Sequence, residues 1–144
     1  MDAASAIIGF VSVGLSSSRV LLDEINRIRE VPGVLIQVKE ELQGVQAVLE
    51  SLKAVLDPNS ELPEPARKAI DNVRIECALK ICDNSCQNFH QTLLKWTKHS
   101  TQDKTFWWDR VRIGFYGEER IQALRNQLAI SKATITMAIT TANL

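Results

Sequence analysis

Cys82, Cys86 and His90 follow one another at intervals of four residues, and on a helix that spacing sets three soft or borderline metal ligands along one face. Zinc is the chemistry such a row invites. The row coincides, however, with an apolar stripe through Leu79, Phe89 and Leu93, and structural zinc sites draw their ligands from separate turns or elements to close a tetrahedron. The thiols are therefore read as small core hydrophobes, and no metal, cofactor or catalytic residue is assigned. Cysteine-based hydrolysis would need an electropositive, accessible pocket with a separately oriented base, and nothing in the sequence marks one. Gly114-Phe115-Tyr116-Gly117 lacks the Gly-x-x-x-x-Gly-Lys-Ser/Thr pattern of a phosphate loop. The acidic pairs Asp23-Glu24, Glu40-Glu41 and Glu118-Glu119 have no Glu-x-x-His partner for a dimetal bundle. An enzyme is not expected.

A second cluster is aromatic and basic. Trp107, Trp108, Phe115 and Tyr116 interleave with Arg110 and Arg112, which suits a membrane interface, where amphipathic rings and cations are favoured. The same residues also suit a cap on a helical core, with the arginines stacked on rings or paired to carboxylates. Burial is the commoner fate of such rings.

The N-terminal stretch is unusual for what it lacks: residues 3–18 (AASAIIGFVSVGLSSS) carry no charge. No basic region precedes it, so it does not read as a signal peptide. Its nine strong apolar residues between positions 3 and 22 are worth roughly −4 kcal/mol on the insertion scale, opposed by serines, glycines and Arg19. The segment is thus marginal for a bilayer.

These residues must be positioned by helices. Val31, Leu35, Val38, Leu42, Val45, Leu49, Leu52 and Leu56 alternate by four and three, the signature of one long amphipathic helix. Upstream, Ile8, Val11, Leu15, Ser18, Leu22 and Ile25 keep the same alternation up to the Pro32-Gly33 turn. The proline-rich stretch Asp57 to Pro65 continues no helix, and a third helix is expected to start near Pro65. Two stripes overlap on it, one through Ile70, Val73, Cys77 and Ile81, the other through Ile75, Leu79, Cys82, Cys86, Phe89, Leu93 and Trp96. A short helix is expected around Phe106 to Arg112. The last helix, from about Glu118, runs through Ile121, Leu124, Leu128, Ser131, Ile135, Ala138 and Ala142. No segment alternates with period two. The fold class is all-α: an antiparallel helical bundle of four long helices plus a short aromatic helix, forming one domain over residues 1–144. Residues 133–144 also lack charge, so the first and last helices are expected to pack together.

Composition agrees with a compact soluble domain. The 144 residues include 17 basic and 17 acidic side chains, 45% hydrophobic residues and few glycines or prolines, and a chain of this length buries enough surface for a core of its own. A net charge of zero supplies no footprint for phosphates, so nucleic acid is not an expected partner. Three cysteines suggest reduced thiols and a cytoplasmic setting.

The opening Met1-Asp-Ala-Ala-Ser-Ala-Ile-Ile-Gly-Phe10, the Val31-Pro32-Gly33 turn into the leucine stripe, and the run Arg110-Val-Arg-Ile-Gly-Phe-Tyr-Gly-Glu-Glu-Arg-Ile121 continuing to Ile135 resemble the fungal N-terminal domain of STAND proteins, the HeLo-like helical family. The resemblance covers nearly the whole chain, through hydrophobic and small-residue patterns rather than a catalytic fingerprint. It implies an effector domain of an NLR-like nonself-recognition or programmed cell death system. Such a domain self-associates on activation, answers an NLR-type or other signalling partner, and moves from the cytoplasm to plasma membrane lipids. Ile7, Ile8, Gly9, Phe10, Val11, Gly14 and Leu15 would then be the membrane or oligomer contacts, with Trp107, Trp108, Arg110 and Arg112 as an aromatic-basic patch. The alternative is a non-toxic adaptor that binds partners through helical faces.

Overall fold

The computed structural model describes residues 3–28, 31–57, 59, 63, 65, 70, 73–97 and 116–142. Among them the chain forms helices α1 (Ala3–Asn26), α2 (Gly33–Leu56), α3 (Val73–Thr97) and α4 (Tyr116–Ala142), with no strand. The all-α helical bundle expected from the periodicity is the fold observed. The expected short aromatic helix lies outside the described residues.

Local chemistry explains the ends of α2. Pro32 takes extended backbone angles (φ −58°, ψ 146°), and its carbonyl accepts from the N–H groups of Leu35 and Ile36 at 2.9 and 3.2 Å. At the other end Asp57 precedes a proline, which pushes a residue out of the helical region, and its ψ is 129°. Its N–H still closes a last turn onto Ala54 at 3.3 Å, and its carboxylate accepts from the Asn59 N–H at 2.9 Å.

Leu35, Val38, Leu42, Val45, Leu49, Leu52 and Leu56 are all buried, so the α2 stripe lies where its spacing places it. Each such side chain contributes about 1.5–3 kcal/mol by leaving water. Ile121, Leu124, Leu128, Ser131 and Ile135 of α4 are likewise buried. That helix begins at Tyr116, two residues before the expected start. Pro65 and Ile70 are helical, ahead of α3.

Three expectations are corrected. In α1 Val11, Leu15, Ser18 and Ile25 are buried as expected, but their buried companions are Ile7 and Leu21, while Ile8 and Leu22 are half-buried, because the helix meets two neighbours and its apolar face is wide. Along α3 the second stripe is inward, with Ile75, Leu79, Cys82, Cys86, Phe89 and Leu93 buried; of the first stripe Ile70, ahead of α3, is buried, whereas Cys77 and Ile81 are exposed. The third correction concerns neighbours. Helix α1 packs on α2 and α3, and α4 packs on the same two helices. The first and last helices therefore stand at opposite corners instead of side by side.

Paired residues give the directions. Ser17 meets Asp83 and Glu24 meets His90, so numbers rise together and α1 runs parallel to α3. Gln37 with Arg125 and Glu41 with Lys132 make α2 parallel to α4. Ser85 with Gln127 and Thr92 with Arg120 run in opposite senses, so α3 and α4 are antiparallel. The bundle is two antiparallel hairpins laid side by side. At one end it gathers the start of α1, the end of α2, the start of α3 and the end of α4.

Candidate functional site

Helix α1 divides the seven predicted contact residues by depth. Ile7, Val11 and Leu15 lie in the core at 3%, 0% and 6% exposure, and Gly14 is buried beside them, where an added Cβ would stand 3.4 Å from Leu49 Cδ1. Ile8 and Phe10 are half-buried against the core. Gly9 faces outward, and an added Cβ there would meet nothing within 4 Å. The outward side of α1 is Ala6, Gly9, Ser12, Val13 and Ser16, uncharged until Arg19. The outward side of α2, by contrast, carries Glu40, Glu50 and Lys53.

By length and composition, α1 is the one helix among the described residues able to cross a membrane: Ala6–Asn26 has a mean hydropathy of 1.4, and 33% of its most apolar window is buried. Its serines behave differently from one another. Ser18 is buried and donates to the Leu15 carbonyl at 3.0 Å, so its hydroxyl is already satisfied within the helix. Ser17 reaches α3.

Polar contacts fasten α1 to α3. The Asp83 carboxylate accepts from the Ser17 hydroxyl and, at 2.8 Å, from the Gln87 side-chain amide. The Glu24 carboxylate lies 3.9 Å from His90 Nε2 and 3.3 Å from Arg27. Lys80 Nζ stands 5.1 Å from the centre of the Phe10 ring, within cation–π range. Sequence reasoning missed Ser17, Glu24, Lys80 and Asp83 as a set. The available signal was Asp83 itself, a carboxylate wedged next to a core cysteine.

The Cys-Cys-His row separates in the structure. Cys82 and Cys86 are fully buried and share a side-chain hydrogen bond. That bond, with burial added, pushes the Cys86 thiol up and keeps its proton on sulfur. His90 turns instead to Glu24 on α1. Among the described residues no group of three His, Cys, Asp or Glu side chains is placed to hold a metal. Trp107, Trp108, Arg110 and Arg112 lie outside the described residues.

The α2–α4 seam is polar as well. Arg125 donates to the Gln37 side chain at 2.8 Å, and Lys132 lies 3.8 Å from Glu41. Gly44 makes room for this lysine, since an added Cβ would stand 3.3 Å from Lys132 Nζ. Between α3 and α4, Ser85 donates to Gln127 at 2.6 Å and Arg120 to Thr92 at 3.3 Å.

Fold and site together define an all-α helical bundle domain with a corner helix that carries no charge before Arg19 and is held by polar contacts on one seam. The chain belongs to the family described as pigment biosynthesis cluster protein PigL N-terminal, whose model matches residues 1–144. No curated protein and no solved structure matches it.

Proposed function

We propose that this helical N-terminal domain is a signalling module of the HeLo-like, STAND-associated kind, which self-associates on activation and transfers α1 from the bundle to a membrane. The reading assigns it no reaction. It places the domain in the cytoplasm at rest and at the plasma membrane when clustered, in a nonself-recognition or programmed cell death response. The observation that carries it is the outward side of α1: Ala6, Gly9, Ser12, Val13 and Ser16 present no charge to solvent, on the helix whose length and hydropathy suffice for a bilayer.

The energetics suit a conditional event. Leaving the bundle exposes Ile7, Val11, Leu15, Leu21 and Ile25, at about 1.5–3 kcal/mol each, and lipid returns that term because its tails are as apolar as the core. The contacts of Ser17, Glu24 and Phe10 with α3 oppose departure. Small residues at Gly9, Ser12 and Ser16 allow close approach of a second helix in lipid.

Dye release from anionic vesicles tests this. Protein clustered through a fused oligomer should release dye, and Val13→Asp, at a position 46% exposed, should abolish release while the fold survives. Vesicles that stay intact under clustered wild-type protein would reject membrane action and leave the adaptor reading.

A further inference from the structure

We propose that the seam between α3 and α4 is a docking groove for an acidic amphipathic helix of a partner protein. Two depressions open along it: one of about 430 Å³ between the start of α3 and the end of α4, another of about 270 Å³ between the end of α3 and the start of α4. The first has the buried Ile75 at its base and Ile130 and Met137 on its wall, 65% and 70% exposed. Ile81, 46% exposed, lies one heptad beyond Arg74 on the same side of α3. The second has Phe89 and Leu124 as its base.

The groove favours apolar anchors. Thr134 and Thr141, on the wall of the larger depression, donate to the carbonyls of Ile130 and Met137 at 2.9 and 2.8 Å, so these hydroxyls are engaged by their own helix. Along α4 the two depressions are centred about twelve residues apart, about 18 Å at the helical rise. That is a little over three turns, so a docked helix with anchors at i and i+11, about 16.5 Å apart, reaches both from one face. Ile130 and Met137 stand out as ridges of the kind that enter the grooves of another helix. A small-molecule site would instead enclose its ligand.

Charge selects the occupant. The described lining of the two depressions contains Arg74 at one end and Arg120 at the other, and no carboxylate. Turning this face onto a second copy would set Arg74 against Arg120 or against its own counterpart, and like charges across an interface are penalised. A helix flanked by carboxylates meets both arginines favourably. This inference does not depend on any movement of α1.

The probe is a synthetic capped helix of about 18 residues, with leucine at i, i+4, i+7 and i+11 and glutamate on the flanks, titrated into the ¹⁵N-labelled full chain. Saturable amide shifts are expected around Ile75, Ile81, Ile130 and Met137, and Val13→Asp should leave them unchanged. Arg74→Glu combined with Arg120→Glu should weaken binding at least tenfold with unchanged far-UV circular dichroism. A lysine-flanked version of the peptide should bind the wild type poorly and the doubly reversed variant well. Absence of saturable shifts, shifts centred on another seam, equal binding of both peptides, or sedimentation showing that the wild type dimerises through this face would each overturn the proposal.

Discussion

Ser17 of α1 donates its hydroxyl to the carboxylate of Asp83 on α3, joining residues 66 apart in the chain. With Gln87 donating to the same oxygen at 2.8 Å, Asp83 becomes the point at which the first hairpin is pinned to the second. A hydrogen bond to a charged group contributes about 1.5–3 kcal/mol. Asp83→Ala should therefore lower the unfolding free energy by an amount in that range, read as a lower urea midpoint with m unchanged. Hydrogen exchange should locate the effect: α1 amides should lose more protection than those of α2. Equal loss throughout the bundle would show that Asp83 does not act on α1 in particular.

Depth on α1 separates folding from membrane action. Val11→Asp places a carboxylate at a position with 0% exposure, and burying an unpaired charge costs several kcal/mol, so this variant should fail to fold. Val13→Asp should keep the wild-type melting transition within a few degrees and lose only vesicle dye release. Thermal unfolding and leakage measured on both variants check the pair.

Thiol chemistry should follow burial. In the native protein an alkylating reagent should label the exposed Cys77 and spare Cys82 and Cys86, with all three reacting in denaturant. The raised Cys86 thiol also fixes a sign. At pH values above the ordinary thiol range the unfolded chain has released a proton that the folded chain still holds. Stability should then fall by about 1.4 kcal/mol per pH unit from this group. The contribution is constant below that range. Comparing urea midpoints of wild type and the Cys82→Ala/Cys86→Ala double variant from pH 8 to 10 isolates it, since the double variant should lack that part of the slope, whereas Cys82 left alone would lose the bond that lowers it and be raised by burial in its turn.

Two glycines on one helix should respond differently to alanine. At Gly9 the new methyl meets nothing within 4 Å, so Gly9→Ala should gain about 0.5–1 kcal/mol from helix propensity and raise the melting temperature by a few degrees. At Gly14 the methyl would press on Leu49 Cδ1 at 3.4 Å, and the gain should be smaller or absent. Thermal melts of the two variants, run together, decide it.

The α2 stripe is legible in the sequence because Val38, Leu42, Val45 and Leu52 stand between residues that are not strongly apolar, and their spacing decides for Leu35 over Val34 and Ile36, Leu49 over Val48 and Leu56 over Val55. Helix α1 is less so: Ile7 and Ile8, or Leu21 and Leu22, are adjacent apolar residues, and only the neighbouring helices decide which one points to the centre. Cys77 and Ile81 continue the first stripe onto α3, yet they face outward because no helix among the described residues covers that side. The placement of α4 opposite α1 is not written in any periodicity. It depends on which helix of the first hairpin α3 takes up as its neighbour, and that helix is α1. The Ser17–Asp83 and Glu24–His90 contacts depend on that placement and were equally hidden.

The side-by-side hairpins give the molecule a polarity. The beginning of α1 and the finish of α4 emerge at the same pole, on diagonal corners. Any multimeric tag attached behind α4 would thus converge several leading helices on one spot, whereas the same tag inserted at the α1–α2 turn would hold them at the far pole. Attachment point alone becomes a lever on assembly, with no change to a single core residue.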